Sequence, residues 1–158
     1  MIPTFLRIAI AFGVLFGPLI AKAKDAEVAQ RLAQIGMQYT VDKDGDYKVT
    51  INFSKKHRTQ MVFVSGATET LGGMTIRKIF SPAATIATDG IDGAKALALL
   101  RDSRVKKLGS WEIEGANLYL VVKVPDTLTP AQLETVMMAT ASLADDMEIK
   151  LSGQRDDL

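Results

Sequence analysis

Apolar and polar residues alternate along this chain with two periods, and the switches between them predict its elements. From Ala26 to Ile35, Val28, Leu32 and Ile35 recur at helical spacing, with Asp25 placed to cap the start and Gly36 to stop it. The period then falls to two. Tyr39 and Val41 alternate with polar neighbours as far as the run Asp42–Asp46, and beyond it Tyr47, Val49, Ile51 and Phe53 share one face. The Asp44-Gly45 pair between these runs accepts the positive φ of a tight turn and predicts a hairpin. Lys55 to Arg58 is a polar turn, and Thr59 to Ser65 a third strand with Met61 and Phe63 opposite Val62 and Val64. Gly66 to Gly73 is polar, holds three glycines and reads as a loop. Met74 to Ser81 alternates again, with Met74, Ile76 and Phe80 on one face, and Pro82 ends it by removing a ladder donor.

A second helix follows Asp92, with Ala94, Leu97, Ala98 and Leu100 expected inward and Arg101, Arg104, Lys106 and Lys107 gathered at its negative pole. Gly109 closes it. Ser110–Glu114 and Asn117–Val124 are the last two strands, turning at Gly115, and Leu118, Leu120, Val122 and Val124 form one apolar face. Thr129-Pro130 opens the last helix, whose face runs Leu133, Val136, Met137, Thr140, Leu143, Ala144, Met147 and Leu151. The order α-β-β-β-β-α-β-β-α predicts an α+β fold, an antiparallel sheet with helices packed on one side.

The first 23 residues follow a different rule. Arg7 supplies a positive start, Ile8 to Ile20 is uncharged and apolar, Gly17-Pro18 breaks it, and Ala21-Lys22-Ala23 offers a peptidase site. Spanning a bilayer as a helix takes about 20 residues, more than this run has. Residues 1–23 are therefore expected to be a signal peptide cleaved after Ala23, leaving a periplasmic or secreted protein with no stable membrane anchor. Residues 24–152 form the expected single domain, and 153–158 a flexible tail.

Composition narrows the function. The chain has 158 residues and no cysteine, which excludes disulfides, thiol chemistry and cysteine-ligated metals. Without Arg7 and Lys22 the formal charge of +1 becomes −1, so no dominant phosphate-neutralising surface is expected and no nucleic-acid partner.

Four stretches carry a resemblance: Gly36–Asp46 after the first helix; Ile79–Ala83; Ala96–Arg101 running into Lys107–Ile113; and Val124-Pro125 with the threonine-proline helix to Asp146. Through these the chain resembles the YbjN-domain family, whose fold is similar to that of type III secretion chaperones. The resemblance implies an α+β domain that pairs with another copy or binds a protein segment, in a chaperone-like or regulatory role. The export signal and near-neutral charge set this chain apart from cytoplasmic, acidic secretion chaperones.

Catalytic patterns are weak. Asp42, Asp44 and Asp46 suggest a calcium loop, but the glycine and glutamate that such a loop needs are Tyr47 and Phe53 here. His57, the single histidine, lies in a basic turn. Gly66–Gly73 lacks the Lys-Ser/Thr ending of a phosphate loop. Asp145, Asp146 and Glu148 read as a hydrated helix face, and Trp111 as a ring at the edge of the core.

Two expectations result. The first is a non-enzymatic domain with no cofactor and no metal, which binds an unidentified protein or forms a homodimer. Its candidate interface is the outer face of the last helix and the final strand: Tyr119, Val121, Met137, Met138, Thr140 and Leu143. The second is a periplasmic small-anion sensor or enzyme, with Arg77, Lys78 and His57 around a pocket near residues 66–73.

Overall fold

The structure is a computed structural model that describes residues 25–153, 155 and 156; the expected signal peptide lies outside them. Three helices and six strands follow in the expected order: α1 (Ala26–Gln34), β1 (Thr40–Val41), β2 (Tyr47–Phe53), β3 (Arg58–Leu71), β4 (Met74–Thr85), α2 (Gly93–Ser103), β5 (Ser110–Glu114), β6 (Asn117–Pro125) and α3 (Pro130–Ser152). The strands form one antiparallel sheet in the order β1-β2-β3-β4-β6-β5. The fold is α+β, as the periodicity predicts.

The caps are those the sequence supplies. Asp25 and Asp92 accept the N–H groups of Glu27 and Lys95, and Thr129 forms a full capping box with Gln132 ahead of Pro130. Each such cap contributes about 1 kcal/mol. The alternation also sorts the strands: Tyr47, Val49, Ile51, Val62, Val64, Ile79, Leu118, Leu120, Val122 and Val124 are all buried.

These side chains form two clusters. One joins β2, β3 and the far ends of β4 and β6 to Val28 and Leu32 of α1 and to Leu133, Met137 and Ala141 of α3. The other joins Ala83, Ala84, Leu99, Trp111, Leu118 and Leu120 to Ala144 and Met147 of α3. Along β4 the buried Ser81 lies between them, after Ile79 and before Ala83.

Three expectations are corrected. Residues 66–73 are not a loop: β3 runs to Leu71, β4 starts at Met74, and only Gly72-Gly73 turn, at φ 55° and 87°. Two consecutive positive φ values are what a tight hairpin turn demands. An irregularity between Val64 and Thr68 shifts the strand's phase and hides its alternation in the sequence. Pro82 does not end β4, because it sits at a second irregularity before Ala84, where no ladder donor is needed. In α2 the buried side chain is Leu99, whereas Leu97 and Leu100 are 55% and 63% exposed.

Candidate functional site

The buried ionisable groups gather in two knots. Arg77 of β4, 2% exposed, donates to Asp126 through Nε at 2.7 Å and Nη2 at 2.5 Å, and also to Asp25 and to the Ser65 carbonyl. Arg31 of α1 reaches the same Asp126 at 2.8 Å. Burial opposes the charge on Asp126, but the hydrogen bonds from Arg77 and Arg31 outweigh it and hold the carboxyl below its ordinary pKa. This knot ties the cap of α1, the kink of β3 and the turn before α3 together.

The second knot lies at the start of β3. Arg58 donates to Asp145 at 2.5 Å and to Glu148 at 2.6 Å, while Lys56 bridges Asp145 and Asp146 at 2.7 Å each. Asp145 and Glu148 are 0% and 1% exposed, so the hydrated-face expectation for them is overturned; Asp146 alone stays exposed. The pKa of Asp145 is lowered: burial works against its charge, and Arg58 and Lys56 win. Gln60 completes the buried polar seam, its amide nitrogen donating to Ser81 Oγ and the Pro82 carbonyl.

The six candidate interface residues do not form one surface. Met137 and Thr140 are buried on the sheet-facing side of α3, and Leu143 packs partly buried against the second cluster. Met138 is 38% exposed on α3. Tyr119 and Val121 alternate with the buried Leu118, Leu120 and Val122, which puts them on the opposite face of the sheet. There they join residues the sequence reading did not group: Phe63 stacks on Phe80 at 5.0 Å, and Phe80 meets Tyr119 edge-on at 5.8 Å. Val121 is the register partner of Phe80, and Lys78 lies over the Phe80 ring at 4.7 Å. The signal for this stripe was present in the alternation, but its assembly needs the pairing of β3, β4 and β6.

Charges of both signs rim the stripe. Lys123 pairs with Glu112 at 2.9 Å, and Lys78 lies 3.7 Å from Glu114. Beside it is a shallow cavity of about 220 Å³ lined by Ser65, Thr68, Glu69, Ile76, Lys78 and Lys123. The anion trio is not brought together here. Arg77 points to the helix-covered face, and His57 precedes the start of β3, eleven residues from Arg77's partner Thr68, which is roughly 35 Å of strand. Trp111 is buried and donates through Nε1 to Asp102 at 2.6 Å. Asp42 is taken up by its own hairpin, accepting the N–H groups of Asp44 and Asp46.

Among the described residues no group of three or more His, Cys, Asp or Glu is placed to hold a metal ion, and no helix is long and apolar enough to cross a membrane. No family model matches the chain, and no curated protein matches it.

Proposed function

We propose that this chain is an exported, non-enzymatic binding domain of YbjN-like, secretion-chaperone-like type, which acts through the uncovered face of its sheet. The observation that carries this is the Phe63–Phe80–Tyr119 stripe. An antiparallel sheet with one face in water ordinarily carries polar residues there. An aromatic centre with a charged rim is instead the anatomy of a protein interface. The ionisable chemistry supports binding over catalysis, because Arg58, Arg77, Asp126 and Asp145 spend their charge on one another. The rim holds Lys78 and Lys123 close to Glu112 and Glu114, so it is complementary to itself, and a second copy of the chain is the partner it fits.

Light scattering on the size-exclusion peak tests this. The wild type is expected to elute as a dimer and Phe80→Lys as a folded monomer; a wild-type monomer at high concentration would overturn self-association. The signal-like pattern of residues 1–23 supports export. Mass spectrometry should find a chain starting at Lys24, and an intact Met1 in cytosolic extract would refute it.

A further inference from the structure

β3 and β4 pair from Phe63–Phe80 onward, and no β4 register partner faces β3 between Arg58 and Val62. On its other edge β4 stays paired with β6 throughout, from Ile76–Pro125 to Thr85–Asn117. Side chains bridge β3 and β4 there, Gln60 Nε2 donating to the Pro82 carbonyl and Ser81 Oγ to the Met61 carbonyl, and the mouth lies beyond them at Thr59. The Thr59 N–H donates to the carboxylate of Asp156, at 3.3 Å.

Residues 155 and 156 are both held near this strand start. Arg58 Nη1 donates to the Arg155 carbonyl at 2.8 Å, and Arg58 Nη2 lies 3.6 Å from the Asp156 carboxylate. The Arg155 guanidinium pairs with Asp89, in the segment that follows β4. A main-chain carbonyl is thus taken by a buried guanidinium and a side-chain carboxylate by a strand N–H. Beside Asp156 a cavity of about 320 Å³ opens, lined by Lys56, His57, Arg58 and Ile149.

We infer that this mouth is a recognition site for an acidic, extended peptide segment, and that the chain's own residues 155–156 occupy it in cis. The site does not depend on the aromatic face. Its chemistry is a strand N–H set beside a fixed guanidinium, which together take a carboxylate and the main-chain carbonyl of the residue before it. Residues 155 and 156 follow the end of α3 at Ser152 by three and four positions, so their effective concentration at the mouth is on the order of mM, enough to outcompete a weak ligand in trans.

The test uses the full chain labelled with ¹⁵N and the hexapeptide of residues 153–158 as probe, following the Thr59 amide. In the Arg155→Ala/Asp156→Ala double variant, the Thr59 amide should exchange faster with solvent and then shift saturably as peptide is added. The wild type should need about tenfold more peptide, because its own tail competes. A peptide with both aspartates replaced by alanine should not compete. Circular dichroism establishes that the double variant is folded. Unchanged Thr59 exchange in that folded variant would overturn the latch, and equal binding of the alanine peptide would overturn carboxylate recognition. No peptide-induced shift in the double variant would overturn the site.

Discussion

Arg77 and Arg58 stand near opposite ends of the strand pair that organises the sheet, and each is built on the same plan. A buried arginine meets an aspartate that a second, more exposed cation shares: Arg77 with Asp126 and Arg31, Arg58 with Asp145 and Lys56. The difference lies in what closes the ring. Around Arg77 the remaining partners are Asp25 and the Ser65 carbonyl, both fixed by the α1 cap and the β3 kink. Around Arg58 they include Glu148 and the chain end at Arg155 and Asp156, next to an open cavity. The first knot is sealed by elements that cannot leave without unfolding. The second has a side that can be exchanged.

The largest effect that separates them is loss of the arginine. Arg77→Ala takes the ion-pair partner from Asp25 and leaves Asp126 to Arg31 alone at a closed site, and should cost about 3–5 kcal/mol, the range for breaking a buried ion pair. Each shared aspartate keeps its second cation, but Arg58→Ala should cost less, about 2–3 kcal/mol, because water can enter from the cavity side. Urea unfolding of both variants checks the order. Equal losses would erase the contrast between a sealed knot and an exchangeable one.

Acid sharpens the same contrast. Asp126 and Asp145 are both held below the ordinary carboxyl pKa, so the unfolded chain takes up their protons at a higher pH than the folded chain does. The stability they contribute is complete well above the unfolded value of about 3.9 and drains away as the pH falls through the lower folded values. Asp126→Asn and Asp145→Asn should each lower stability at neutral pH and flatten its decline below about pH 4. Ellipticity followed against pH reads this directly, and a slope identical to wild type would remove that aspartate from the acid transition.

The sequence foretold these regions unequally, for physical reasons. Alternation on β2 and β6 was legible because each strand has one covered face, so Val49 and Ile51 are separated from Lys48 and Thr50 by burial itself. In residues 66–71 the kink breaks the phase and the hairpin extends beyond helix cover, so no apolar face marks it. In α2 the run Ala96–Leu100 is apolar all round, and only packing against Trp111 and Leu118 selects Leu99. Asp145 and Glu148 looked hydrated because their partner Arg58 stands 87 and 90 residues away. The aromatic stripe is non-local too, since its three rings come from three strands.

The smallest effect is the most discriminating, because it compares the second cations. Arg31 is 16% exposed and holds both the Asp126 carboxylate and its carbonyl, whereas Lys56 is 37% exposed and bridges one buried and one solvated acid. Arg31→Met should therefore cost on the order of 1–2 kcal/mol, as loss of a charge-assisted hydrogen bond does. Lys56→Met should cost only about 0.5 kcal/mol, because solvent screens half of its work and Arg58 remains on Asp145. Stability alone barely resolves the latter value, but titration does. Removing the Lys56 donor should raise the Asp145 pKa toward its ordinary range, and with it the pH at which this end of the molecule begins to open in acid. If Lys56→Met leaves that onset where it was, Arg58 alone sets the charge of Asp145, and Lys56 belongs to the surface.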